Sequence, residues 1–203
     1  MSKMKRLKLT ENNINEIAAQ ASRVLKSGRV VLAPFDTIYG FMADAGNDRA
    51  VERIFHLKAR LLSKPVGVVF ADLVGAERVA HLSPLARDFA AARIPGRYTF
   101  IVPLKSAQAV CGLCQQGGTV AFRVPGSELI LAIARQSGLI LAQTSANKAG
   151  LPPAGTLADV RAQFARDEWE SIDLIIDGGR IPHPKPSEIF DLTGDRPLKI
   201  ERS

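Results

Sequence analysis

Apolar residues recur at helical spacing between Thr10 and Lys26, where Ile14, Ile17, Ala18, Ala21, Val24 and Leu25 share one face. Thr10 supplies an N-cap hydroxyl and Gly28 a stop. The run Val30 to Ala33 is continuously apolar, the pattern of a strand buried on both faces. Pro34 to Gly40 breaks it and predicts a loop. Helical spacing returns over Asp48 to Lys58, with Val51, Ile54 and Phe55 together. Val66 to Ala71 predicts a strand, and Ser83-Pro84 caps a helix reaching about Arg93. After a Pro95-Gly96 turn, strands are predicted at Thr99 to Leu104 and Thr119 to Val124. A helix at Glu128 to Gln136 precedes a buried strand at Leu139 to Ala142 and a polar loop from Thr144 to Gly155. Thr156 to Ala165 predicts a helix, and Asp173 to Ile176, Glu188 to Leu192 and Leu198 to Glu201 predict strands. Strands and helices alternate irregularly, which predicts an α/β domain with a mixed, mostly buried sheet. No repeat or linker divides it, so residues 1–203 are expected to form one domain.

Composition narrows the function classes. Hydrophobic residues make up 46% and charged residues 23%, an ordinary globular balance. No apolar stretch approaches the ~20 residues of a membrane span, and the basic start lacks the apolar run of a signal peptide. A cytoplasmic protein without a membrane partner is expected. The net charge of +7 suits anionic partners such as nucleotides or RNA. Aromatic residues are only 6%, a poor supply for stacking on single-stranded bases.

Common catalytic signatures are absent: no Walker A run, no G-x-G-x-x-G, no H-E-x-x-H and no G-x-S-x-G. His56, His81 and His183 stand apart, without metal-ligand spacing, so no protein metal site is expected. Cys111 and Cys114 form one C-x-x-C, half of a zinc ribbon and outside a strand-to-helix context. They are expected to be ordinary thiols in a loop or turn.

Four strand-associated stretches carry candidate chemistry, since ligands of open α/β sheets bind beyond strand ends. Pro34 to Gly40 offers the Thr37 hydroxyl. Lys58, Arg60 and Lys64 gather three cations within seven residues, a possible cradle for phosphates or carboxylates. Arg123 closes an otherwise apolar strand, where an unpaired guanidinium would be costly. It is expected either to face a cleft or to meet an internal carboxylate. Thr144 to Gly150 brings hydroxyls, an amide and a glycine behind a strand, a loop suited to an anion.

In order and spacing, these stretches resemble the YrdC-like threonylcarbamoyl-AMP synthase family. The resemblance rests on Pro34…Thr37…Tyr39-Gly40, Lys58…Arg60, Pro95-Gly96-Arg97-Tyr98-Thr99, Arg123…Pro125, Ser145-Ala146-Asn147…Gly150 and Pro186-Ser187-Glu188-Ile189. It runs from about residue 13 to 202 and is similar to the single-domain form. The sequence departs from the family pattern at Phe35, Asp36, Arg97, Lys64, Val69 and Lys148-Ala149.

The resemblance implies a twisted mixed sheet flanked by helices around a basic cavity. It also implies an L-threonylcarbamoyladenylate synthase, a nucleotidyltransferase making threonylcarbamoyl-AMP and pyrophosphate from L-threonine, bicarbonate and ATP. The product would serve N6-threonylcarbamoyladenosine formation in tRNA through a downstream transferase. Carried over, Lys58, Arg60, Lys64, Thr119, Ser145, Asn147 and Arg202 would face ATP, with Lys58, Arg60 and Ser145 the catalytic set. Thr37, Arg123 and Ser187 would hold threonine, and Mg²⁺ would accompany the phosphates. The competing readings are a non-catalytic double-stranded RNA or tRNA-binding module of the same fold, and a carbamoyl-adenylating enzyme with another acceptor.

Overall fold

The structure is a computed structural model and describes residues 4–201. The buried apolar runs form strands of one sheet, and the helical stretches pack on its faces. Strands β1 (Lys5–Lys8), β2 (Val31–Pro34) and β3 (Tyr39–Asp44) come first, followed by β4 (Gly67–Val69) and β5 (Tyr98–Pro103). Next are β6 (Gln115–Gln116), β7 (Thr119–Arg123) and β8 (Leu141–Ser145), then β9 (Leu174–Asp177), β10 (Glu188–Asp191) and β11 (Leu198–Ile200). Among the described residues the lateral order is β1-β9-β2-β3-β8-β4-β7-β5-β10-β11, with β6 also pairing β7. Pairs β1/β9, β2/β9, β4/β7 and β5/β10 are parallel, and the others are antiparallel. The architecture is thus the twisted, mixed α/β sheet expected from the sequence.

Alternate residues of the central strands feed opposite layers of core. Leu32, Phe41 and Ile175 join one cluster, while Val31, Met42 and Leu174 join the other. Burial on both sides explains why β2 reads as an unbroken apolar run. Helices α1 (Ile14–Lys26) and α5 (Glu128–Ser137) pack together over one layer through Ile17, Ala21, Leu25, Leu129 and Ile133. Helix α2 (Asp48–Lys58) opens on Asn47, whose side-chain oxygen accepts from the Ala50 amide at 3.1 Å. It ends on Ala59 in the left-handed conformation (φ 50), which turns the chain out toward Arg60.

The structure corrects several expected boundaries. The loop over 34–40 is a short turn at Phe35–Ile38 inside a hairpin, and Tyr39–Asp44 continues as β3. Tyr-Gly-Phe-Met-Ala carries no β-branched residue, so only pairing with β2 and β8 reveals the strand. The strand expected at 139–142 lies two residues later, which makes Thr144 and Ser145 strand rather than loop. The helix expected over 156–165 is shorter, α6 (Leu157–Arg161), and a separate helix α7 (Arg166–Glu170) follows beyond that span. Helix α3 (Leu73–Val79) and strand β1 lie where the residue pattern predicts no element, and α4 (Pro84–Ala91) matches its Ser83 cap. No described helix is long and apolar enough to cross a membrane.

Candidate functional site

The turn between β2 and β3, the last residue of β7 and the turn before β5 converge on one buried cluster. Arg123 ends β7 with its side chain 5% exposed, beside Asp36 at 10%. Its Nη2 donates to Asp36 Oδ1 at 2.9 Å, and its Nη1 to Thr37 Oγ1 at 3.2 Å. Asp36 Oδ2 accepts from the Gly126 amide at 3.0 Å, so both carboxylate oxygens are engaged. The Gly96 carbonyl also lies 3.4 Å from Nη2. Of the two expectations for Arg123, a cleft or an internal carboxylate, the structure meets both. It pairs with Asp36 and lines a cavity of about 710 Å³.

That volume lies within the ~300–1,000 Å³ typical of small-molecule sites. Thr37, Arg60, Lys64, Arg123, Ser145, Asn147 and Ser187 all line it. The Ser187 hydroxyl is 2.7 Å from that of Thr99, which stands on neighbouring β5 and also faces the cavity. Arg60 Nε and Nη2 donate to the carbonyls of Lys64 and Pro65 at 2.7 and 2.8 Å. These bonds curl residues 60–65 into a rim whose Lys64 is exposed. Glu201 also lines the cavity.

Lys58 is placed differently. It is 2% exposed and is not among the residues lining the cavity. Its Nζ donates to the carbonyls of Ser145 and Asn147, both at 2.5 Å, and to Asn147 Oδ1 at 3.2 Å. Asn147 then donates to the carbonyls of Lys148 and Leu151 at 2.9 and 2.6 Å. Lys58 therefore stands behind the 145–151 loop and holds its shape. Burial, with Arg60 nearby, pushes its pKa down to about 7. Thr119 starts β7 with its hydroxyl on the Gln116 carbonyl at 2.7 Å, and it too is not among the cavity-lining residues. Arg202 lies outside the described residues.

Residues 23–203 match the Sua5/YciO/YrdC family, described as telomere recombination. The chain belongs to that family. A threonylcarbamoyl-AMP synthase of Nitrosococcus oceani is 34% identical over 180 residues, covering 87% of this chain and 94% of the relative. The synthase of Bacillus subtilis is 35% identical over 187 residues, covering 90% and 52%. The solved structure of P. abyssi Sua5 complexed with L-threonine superposes with a TM-score of 0.84 at 29% identity, covering 97% and 56%. The chain thus spans about half the length of the latter two proteins. E. coli YciO shares the fold, with a TM-score of 0.82 at 23% identity.

The Sua5/YciO/YrdC cavity also gathers Thr99, Gln116, Gln143 and Glu201, and Asp36 stands behind it on Arg123; contacts between distant segments bring them there. Asp36 and Arg123 are 87 positions apart, and no local pattern joins them. The sequence signals were Arg123, which calls for a cleft or an internal carboxylate, and a lone acid in an apolar turn, which calls for a partner. Among the described residues no group of three or more His, Cys, Asp or Glu is placed to hold a metal.

Proposed function

We propose that this chain is an L-threonylcarbamoyladenylate synthase, a nucleotidyltransferase acting on L-threonine, bicarbonate and ATP. The observation carrying this reading is the set of groups that one cavity brings together: a buried Arg123 held by Asp36, Thr37 and the Gly96 carbonyl, with Arg60, Lys64, Ser145, Asn147 and Ser187 in the same lining. The named relatives and the family membership support it. A planar guanidinium suits a carboxylate, so Arg123 would receive the threonine carboxylate. The Thr99–Ser187 hydroxyl pair would bind the substrate's polar atoms nearby. Arg60 and Lys64 would meet the triphosphate, which would arrive as its Mg²⁺ complex.

Two steps follow. The threonine amine attacks the bicarbonate carbon, water leaves and a carbamate forms. A carbamate oxygen then attacks the α-phosphorus and pyrophosphate departs. Neither step needs a covalent protein nucleophile, so fixed position and fixed positive charge would provide the acceleration. The product would pass, in the cytoplasm, to a transferase modifying tRNA adenosine.

The test is ATP-dependent pyrophosphate release with the purified chain. Release should need both L-threonine and bicarbonate. Release indifferent to threonine would favour another acceptor, and no release with retained RNA binding would favour the RNA-binding module. Arg60→Ala should weaken ATP binding about 10–150-fold, the worth of a charged hydrogen bond of ~1.5–3 kcal/mol. Unchanged ATP affinity would remove Arg60 from the nucleotide site.

A further inference from the structure

The C-x-x-C pair takes no part in the chemistry proposed above, yet its geometry is well defined. The Cys114 amide donates to the Cys111 carbonyl at 3.0 Å, closing a single 3-10 turn. A turn closed this way brings its end Cα atoms within ~7 Å, close to the spacing a disulfide requires. The two sulfurs are already 3.5 Å apart. Cys114 is 1% exposed, whereas Cys111 keeps 7% and is the one nearer to solvent. The contact between the two thiols lowers the Cys111 pKa, while the same contact and burial raise that of Cys114. The Cys114 thiol, with the Leu113 and Cys114 backbone, favours a Cys111 thiolate against burial and the negative charge of Asp48.

We propose that Cys111 and Cys114 form a redox-active dithiol, oxidised to an intrachain disulfide by small peroxides. The Cys111 thiolate attacks one peroxide oxygen, the O–O bond breaks, and Cys111 becomes a sulfenic acid as hydroxide leaves. The Cys114 sulfur then attacks the Cys111 sulfur, its proton neutralising that hydroxide. The S–O bond breaks, the S–S bond forms, and the departing hydroxide takes up the proton that Cys111 lost on ionising, giving a second water. Two thiols and one hydrogen peroxide give one disulfide and two waters, and a thiol reductant reverses the outcome.

The turn is also tied to the cavity wall. The Leu113 carbonyl accepts the Val66 amide at 2.9 Å, and Val66 lines the cavity. Cys114 leads directly into β6, whose Gln116 lines it as well. Closing the disulfide should therefore stiffen this wall.

Intact-mass and peptide mapping of the full chain after dilute hydrogen peroxide tests the site. The expected product has lost two hydrogens, contains a Cys111–Cys114 linked peptide and returns to the starting mass with dithiothreitol. In Cys114→Ser, Cys111 should instead gain one oxygen and react with a sulfenic-acid trap. Hydrogen exchange at the Val66 amide should slow several-fold in the oxidised wild type. Wild-type protein that keeps both thiols, or that accumulates oxygen on Cys111 without linking, overturns the dithiol. A linked product with unchanged Val66 exchange overturns the connection to the wall.

Discussion

At the scale of single residues, Asp36 and Arg123 are the most informative pair. Each is nearly buried, and loss of either removes the ionic partner that the other meets at 2.9 Å. Arg123→Ala should therefore destabilise the fold by ~3–5 kcal/mol as well as remove the proposed carboxylate contact. Asp36→Asn is the sharper probe, because it keeps the size of the side chain but loosens the guanidinium. It should raise the KM for threonine roughly tenfold, about 1.4 kcal/mol, with kcat and ATP affinity nearly kept. Steady-state kinetics decide, and a normal threonine KM in a destabilised variant would make the pair purely structural. Lys58 offers a pH test. Its folded pKa of about 7 lies below its ordinary 10.5. Between those values the unfolded chain holds a proton that the folded chain lacks, so stability rises with pH across the window. Relative to Lys58→Met, the wild type should gain stability from pH 7 to 10, by at most about 1.4 kcal/mol per unit. Urea melts at several pH values measure it, and a constant difference would show that the three oxygens around Nζ keep the ammonium charged.

At the scale of elements, the site depends on short turns more than on helices. The turn before β5 presents the Gly96 carbonyl toward Arg123, and the Gly96 amide donates to the Val124 carbonyl at 2.9 Å. A Cβ at Gly96 would lie 2.6 Å from the Arg93 carbonyl oxygen, too close for any side chain without a backbone shift. Gly96→Ala should cost ~1–3 kcal/mol, the usual range for an overpacked position, and should raise the threonine KM in parallel. Thermal melting with kinetics on one preparation checks it. A stable variant with normal KM would show that the turn yields easily. The Tyr39 hydroxyl plays a similar joining role, donating to the Gly179 carbonyl at 2.9 Å and accepting from the Gly178 amide at 3.0 Å. Burial pushes its pKa up to about 12, so it remains a neutral phenol throughout ordinary pH.

At the scale of the whole molecule, the charge of +7 is an electrostatic property rather than a fold determinant. Edge strand β1 displays Lys5, Arg6 and Lys8, with Arg6 paired to Asp177 at 2.7 Å. RNA binding from such a surface should be weak, indifferent to sequence and steeply reduced by salt. Fluorescence anisotropy with short duplexes at 50 and 200 mM salt would measure ~10³-fold or greater loss if six or more phosphates are contacted. A tight, salt-resistant, sequence-selective complex would favour the RNA-binding reading. The sequence by itself determined the helical segments that have caps, such as Asp48–Lys58 and Pro84–Ala91, because capping and 3.6-residue periodicity are local. It also determined the family and the stretches that meet in the cavity, since these survive as ordered short motifs. Only the tertiary structure decided that β8 lies between β3 and β4, because strand order is set by pairing between distant segments. Only it separated Arg60, which lines the cavity, from Lys58, which braces the loop behind it. Two residues apart at a helix end, these cations look alike in sequence. The left-handed turn at Ala59 sends them to different surroundings, and those surroundings decide what each charge meets.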